Sequence, residues 1–170
     1  MSIVRATIIA SLLLLSGCSD MMDDLNPVGT DKSSSLSQPA ADITVLDSLG
    51  NTINVPSDYI GTPVVLYFTM WCPVCDQHTT DMLNNTVPNF PGVEFFLVDY
   101  VSSSVAQVRS NELGGGYGTS FTTLADINDF LENYYDGAMG ATVVIDATGI
   151  IRMNEDYLDG SRLRTVLGSL

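Results

Sequence analysis

The sequence predicts an α/β domain with a central mixed β-sheet, helices on both faces and an N-terminal β-hairpin. Three observations carry this. Val64-Val65-Leu66-Tyr67-Phe68 is an unbroken apolar run, the pattern of a strand buried on both faces. A second continuous strand, Val93-Glu94-Phe95-Phe96-Leu97-Val98-Asp99, follows after one helix-length polar stretch, which makes a βαβ unit with a parallel, right-handed pair. Two hairpin patterns, near residues 43–55 and 142–153, flank this unit.

In chain order, Ile43-Thr44-Val45-Leu46 and Thr52-Ile53-Asn54-Val55 are β-prone runs around Asp47-Ser48-Leu49-Gly50-Asn51, a turn-forming stretch. The first buried strand leads into Trp71-Cys72-Pro73-Val74-Cys75 and a helix reaching about Val87, closed by Pro88 and Pro91. After the second buried strand, residues 103–112 suit a helix, and Asn111 to Ser120, rich in glycine, reads as a loop. No Gly-Lys-Ser/Thr pattern accompanies those glycines, so they are not a phosphate cradle. Phe121 to Leu124 is a short apolar segment, Ile127 to Tyr135 a short helix, and Ser161 to Leu170 the last helix. Thr142-Val143-Val144-Ile145-Asp146 and Ile150-Ile151-Arg152-Met153 flank Ala147-Thr148-Gly149 as an antiparallel hairpin.

The first 17 residues differ from all of this. Arg5 is the only charge before Asp20, an apolar stretch runs to Leu15, and small residues follow, which is the layout of a cleaved signal peptide. The stretch is short for a membrane span. Leu15-Ser16-Gly17-Cys18 resembles the bacterial lipobox, which implies that Cys18 is acylated and becomes the first mature residue. Residues 18–41 then hold the lipidated cysteine and a flexible tether rich in Ser, Asp, Asn and Pro, and residues 42–170 form the folded domain. With Ser19 after the cysteine, the resemblance implies the periplasmic face of the outer membrane in a two-membrane organism.

A formal charge of −14, from 6 Lys+Arg against 20 Asp+Glu, excludes a nucleic-acid surface. It also gives no attraction to anionic lipid, so membrane attachment rests on the lipid anchor.

Cys72 and Cys75 carry the chemistry. Two residues apart at a strand–helix junction, they can come within disulfide range. Cys72 falls at a helix start, where unpaired N–H groups and the helix dipole favour a thiolate. Pro73 suits the first helical position. Cys75 lies one turn inside, placed to resolve a mixed disulfide. Competing readings are a structural disulfide and a zinc site. The two-residue loop adds little constraint to the unfolded chain, and with Cys18 acylated only these cysteines and His78 remain as ligands, short of four. His78 reads as a solvent-facing helix residue, and Asp76 as a mild opponent of thiolate formation. Trp71 and Val74 border the pair; Trp71 shields it or simply packs.

These residues resemble the TlpA/ResA-like thioredoxins of bacterial envelopes. The likeness runs through Leu49-Gly50-Asn51-Thr52, Thr62-Pro63-Val64-Val65-Leu66, Trp71-Cys72-Pro73-Val74-Cys75, Phe121-Thr122-Thr123-Leu124-Ala125-Asp126 and Val144-Ile145-Asp146-Ala147-Thr148-Gly149. It implies a thioredoxin-like fold and an envelope thiol–disulfide oxidoreductase. Cys72 would be the nucleophile and Cys75 the resolving thiol, with no cofactor and no metal. Its partners would be protein thiols and disulfides and an unidentified electron donor, and the protein a monomer acting as reductant. Two departures accompany it. Where the family has a cis-proline facing the dithiol, this chain has Gly140 and Ala141, so that loop is expected to be trans or reshaped. Leu66 stands where thioredoxins carry a buried acid. The alternatives are a non-enzymatic binding module and a thiol peroxidase. The second rests on Thr69-Met70-Trp71-Cys72, against the absence of a proline at Val65 and of an arginine near Gly140 and Ala141.

Overall fold

β3 (Val64–Thr69) occupies the interior of the sheet, as its apolar run requires, and all six residues are buried. It pairs in parallel with β4 (Glu94–Asp99) on one side and antiparallel with β6 (Ala141–Ile145) on the other. The computed structural model describes residues 36–116 and 120–170. The expected signal peptide, Cys18, most of the expected tether and Gly118 of the glycine-rich stretch lie outside the described residues.

The seven strands form one sheet in the order β2-β1-β5-β4-β3-β6-β7. β1 (Ile43–Asp47) and β2 (Thr52–Val55) are the expected hairpin, with Gly50 at φ +88 in its turn. β5 (Thr122–Ala125) runs parallel to β4 and joins the hairpin to the sheet through β1. β7 (Ile151–Asp156) closes the other edge against β6.

The helices are α1 (Pro73–Asp81), α2 (Val105–Gly115), α3 (Phe130–Tyr135) and α4 (Ser161–Leu167). α1 loosens into a π turn over Met82–Thr86 and a 3₁₀ turn over Val87–Asn89. α2 is a correction to the sequence reading: it runs through Gly114 and Gly115 and ends at Gly116, whose φ of +78 is the left-handed cap that glycine supplies.

The period-two alternation of β3 sorts its side chains onto two cores. Val64, Leu66 and Phe68 join Leu131 and Tyr135 of α3 on one face. Val65 and Tyr67 join Met82, Tyr157 and the α4 residues Leu163, Val166 and Leu167 on the other. Burial on both faces explains why no polar residue interrupts the strand.

Within the expected tether, residues 37–40 lie along β7. Ser37 N–H donates to Ile151 O, Ile151 N–H to Gln38 O, and Ala40 N–H to Gly149 O, at 2.9–3.0 Å. No helix among the described residues is long and apolar enough to cross a membrane.

The β6–β7 turn is held by Asp146. Its Oδ1 accepts from Thr148 N–H at 2.8 Å, Thr148 Oγ1 at 2.6 Å and Ile150 N–H at 3.0 Å, and its Oδ2 from Arg152 Nε at 2.5 Å. Burial alone would raise this carboxyl, but the hydrogen bonds from Thr148, Ile150 and Arg152 overcome it and hold the group down at about 2. Because the folded value lies below the ordinary 3.8, Asp146 contributes stability that is complete above about pH 4 and disappears as pH falls through about 2. Asp146→Asn should lower stability at neutral pH and flatten the acid-unfolding curve between pH 4 and 2. Circular dichroism on the two proteins checks this; parallel curves would assign the turn's stability to its backbone bonds.

Candidate active site

Cys72 is the N-cap of α1, with extended backbone at φ −95 and ψ 164. Its sulfur takes the place of a capping oxygen and accepts from Cys75 N–H at 3.2 Å. Pro73 follows as the first helical residue, where a missing N–H costs nothing. The geometry thus brings Cys72 Sγ and Cys75 Sγ to 2.6 Å as a free dithiol. Cys72 is partly exposed while Cys75 is buried, so an incoming disulfide meets Cys72 first. Val74 is partly buried between them in sequence, and Pro73 is exposed.

The electrostatics differ from the sequence expectation of a stabilised thiolate. Burial has the largest influence on Cys72 and pushes its thiol up, and contact with the Cys75 sulfur adds to this. The Cys75 and Val74 N–H groups pull the other way without reversing it.

Trp71 sets the entry into α1. It sits at φ +60, the left-handed region, unusual for a bulky side chain. Two hydrogen bonds hold it there: its backbone N–H donates to Thr69 Oγ1 at 3.1 Å and its indole Nε1 to Asp99 Oδ2 at 2.6 Å. Asp99 ends β4 and is fully buried. It also accepts from Ser102 Oγ at 2.7 Å, Ser102 N–H at 2.9 Å and Val101 N–H at 3.1 Å. The sequence reading missed Asp99. Its signal was an acid directly after the apolar run Phe95-Phe96-Leu97-Val98.

Gly140 and Ala141 are buried at the start of β6, alongside the end of β3 from which the chain enters the dithiol segment. The loop is a turn closed by Ala141 N–H to Ala138 O at 2.9 Å, with Gly140 third at φ +87, as a type II turn demands. Proline, locked near −65°, does not fit there. Among the described residues the only cis peptide is Val55–Pro56, so this loop is trans, as its composition implied. The Gly140 peptide is engaged inward: its N–H donates to Phe68 O at 3.0 Å, and its carbonyl accepts from Tyr157 N–H at 2.8 Å and Thr142 Oγ1 at 3.0 Å.

His78 is not solvent-facing. It is partly buried, with Nδ1 3.0 Å from the hydroxyl of fully buried Tyr67 and its ring 4.8 Å from that of Tyr157. Tyr157 in turn donates a short hydrogen bond to Asp81, which Arg164 approaches at 3.4 Å. Leu66, where a buried acid was sought, faces the other core. No group of three or more metal-binding side chains occurs among the described residues.

A dithiol at a helix N-cap, reached from the interior strand of this sheet, defines a redoxin of thioredoxin-like fold. The sequence matches the AhpC/TSA family over residues 36–154, and the chain belongs to that family. The resemblance to TlpA/ResA-like redoxins is borne out to this extent. Among solved structures the fold is shared with a secreted disulfide oxidoreductase of Mycobacterium tuberculosis homologous to E. coli DsbE (21% identity, 76% of this chain and 96% of that one, TM-score 0.59). It is shared likewise with the thioredoxin domain of a thiol–disulfide oxidoreductase from Bacteroides vulgatus (19% identity, 81% and 98% covered, TM-score 0.62). A third is the peroxidoxin BcpB of M. tuberculosis (15% identity, 80% and 97% covered, TM-score 0.65). At these identities the likeness is one of fold. Among curated proteins, none matches the chain in sequence.

Proposed function

We propose that the protein is a thiol–disulfide oxidoreductase of the bacterial envelope that reduces partner-protein disulfides through Cys72 and Cys75. The observation that carries this is the asymmetry of the pair, one sulfur partly exposed at a helix N-cap and the other buried 2.6 Å away. Cys72 attacks a partner disulfide, forming a mixed disulfide and releasing one partner thiolate. Cys75 then attacks Cys72, closing the intramolecular disulfide and releasing the second. An electron donor restores the dithiol. Trp71, Pro73 and Val74 border the reacting sulfurs, and Gly140 and Ala141 shape the neighbouring loop. Cys18 anchors the domain by lipid, with residues 1–17 removed and the domain outside the cytoplasm.

The reducing direction, which the family resemblance suggests, draws support from the environment of Cys72. A strongly oxidising pair owes its potential to a stabilised thiolate in the reduced form. Here burial pushes the thiol up, which disfavours that thiolate and with it the oxidant role. Equilibration of the dithiol in dithiothreitol buffers, followed by the fluorescence of the single tryptophan, Trp71, should give a potential near the roughly −270 mV of thioredoxin. A value near about −120 mV would reverse the direction.

Family membership also favours a second reading, a thiol peroxidase, because peroxidoxins share the fold. Stoichiometric hydrogen peroxide added to the reduced protein separates the two. Rapid loss of thiols would establish the peroxidase, and slow loss beside fast reaction with a disulfide would leave the exchange reading.

A further inference from the structure

α1 carries the buried half of the dithiol, yet it has little apolar surface to hold it on the sheet. Of its nine residues only Cys75 and Thr79 are buried, followed by Met82 in the π turn. A helix in a protein ordinarily owes its place to an apolar face packed on its neighbours. Polar contacts fill that role here, and they converge on Tyr157. Its hydroxyl donates to Asp81 Oδ2 at the end of α1. Its ring lies 4.8 Å from that of His78, one turn earlier, and 5.9 Å from that of Tyr67 on β3. The Tyr67 hydroxyl in turn meets His78 Nδ1 at 3.0 Å. The Tyr157 backbone N–H donates to Gly140 O at 2.8 Å, and Gly140 N–H to Phe68 O at 3.0 Å, which ties Tyr157 to the end of β3.

Two features mark this contact as built. A Cβ at Gly160 would collide with the Tyr157 hydroxyl, the Asp81 carboxylate and the Arg164 guanidinium, so the glycine leaves the room in which the three meet. Burial would raise the Asp81 carboxyl, but hydrogen bonds from Tyr157 and Asn85 and the charge of Arg164 hold it below the ordinary 3.8. Asp81 is thus ionised at neutral pH, and the bond from Tyr157 is charge-assisted. Phenylalanine would fill the same core; the hydroxyl is what reaches α1.

We propose that Tyr157 is a positioning residue for the dithiol, seating α1 on the sheet so that Cys75 stays within reach of Cys72. The proposal rests on the exchange reading above. Cys72 is delivered by β3 through Trp71, and Cys75 by α1, so their approach depends on how the helix sits against the strand. In the second half of exchange Cys75 gives its proton to solvent, and its thiolate bonds to Cys72 Sγ. The Cys72–partner S–S bond breaks and the partner departs as a thiolate. The dithiol is thereby oxidised and the partner sulfur reduced. A seated helix raises the effective concentration of Cys75 at Cys72, which speeds closure and stabilises the intramolecular disulfide. Without the Tyr157 hydroxyl, closure slows and the pair becomes more oxidising.

The test uses the full chain carrying Cys18→Ser, in which Cys72 and Cys75 are the remaining cysteines. Reduced protein is mixed with Ellman's reagent at concentrations where the second thiolate release no longer depends on the reagent. The first release reports attack by Cys72 and the second reports closure by Cys75. The potential is read from Trp71 fluorescence in dithiothreitol buffers. Tyr157→Phe and Asp81→Ala should each slow the second release about tenfold, the size of one hydrogen bond to a charged group, and leave the first near the parental rate. The same factor in the exchange constant makes the potential less negative by about 30 mV for a two-electron couple. The double variant should be no slower than Asp81→Ala, since both changes remove the same bond. Val166→Ala, which opens the same core from α4 without touching the contact, should lower stability in urea and leave closure and potential unchanged. Should Tyr157→Phe fail to fold, Asp81→Ala, at a side chain 30% exposed, carries the test. Parental closure and potential in the Tyr157 and Asp81 variants would overturn the proposal and leave the first turn of α1 as what sets the pair. Equal shifts in Val166→Ala would overturn it as well, by assigning them to general loosening. A parent that releases a single thiolate and never closes would overturn the exchange reading itself, and the proposal with it.

Discussion

Cys72→Ser should reduce disulfide exchange to background, while Cys75→Ser should leave the first half-reaction intact and stall at the second. The prediction follows from the unequal exposure of the two sulfurs. A partner disulfide reaches Cys72 at the surface end of α1, whereas Cys75 lies beneath it with 1% of its surface exposed. Without Cys72 no sulfur capable of attack meets the partner. Without Cys75 the mixed disulfide forms and persists, because serine cannot displace the bound partner. In a Cys18→Ser background, an insulin-reduction assay should show no turnover for either protein. A non-reducing gel should then show a covalent adduct with insulin chains for Cys75→Ser alone. Turnover by Cys72→Ser, or adducts formed through Cys75, would reverse the assigned roles. Adducts from neither would favour a binding module.

The sheet's interior was legible because burial leaves a mark on sequence. Val64 to Phe68 has no polar residue, and only an interior strand tolerates that. Cys72-Pro73 marked the helix start because proline suits one helical position above all others. β5 was harder. Phe121 to Leu124 read as an apolar segment, but its place between β1 and β4 depends on pairings with strands far away in the chain, which no local pattern records. The glycines at 114 and 115 read as loop, yet the helix absorbs them and stops at Gly116. At the site, residue types pointed to the two sulfurs, while the supporting polar contacts stayed hidden. The Tyr67–His78 contact joins a strand to a helix and depends on how α1 is rotated on the sheet. A helix without a marked apolar stripe does not announce that rotation. The dithiol is thus a local device, legible from spacing, and its surroundings are tertiary, legible only once the sheet has been assembled.

Asp99→Ala should destabilise the domain by about 3–5 kcal/mol and redden the emission of Trp71. Asp99 is fully buried and takes four hydrogen bonds from three residues, Trp71, Val101 and Ser102. Bonds to an ionised group contribute about 1.5–3 kcal/mol each, and removing their acceptor orphans the donors, among them the buried Ser102 N–H. The consequence reaches the dithiol through Trp71. A bulky residue at φ +60 carries about 1–3 kcal/mol of backbone strain and stays there only because neighbouring contacts over-determine it. Cutting the indole from Asp99 leaves the Thr69 hydroxyl as the remaining one of the two hydrogen bonds that fix Trp71. The next residue is Cys72, so a relaxed Trp71 re-aims the nucleophile. Asp99→Asn, which keeps one acceptor oxygen, should fall between wild type and alanine. Urea unfolding together with tryptophan emission checks this. If stability fell while emission and the rate of attack by Cys72 stayed unchanged, Asp99 would brace the β4 terminus alone, and Trp71 would owe its position to packing.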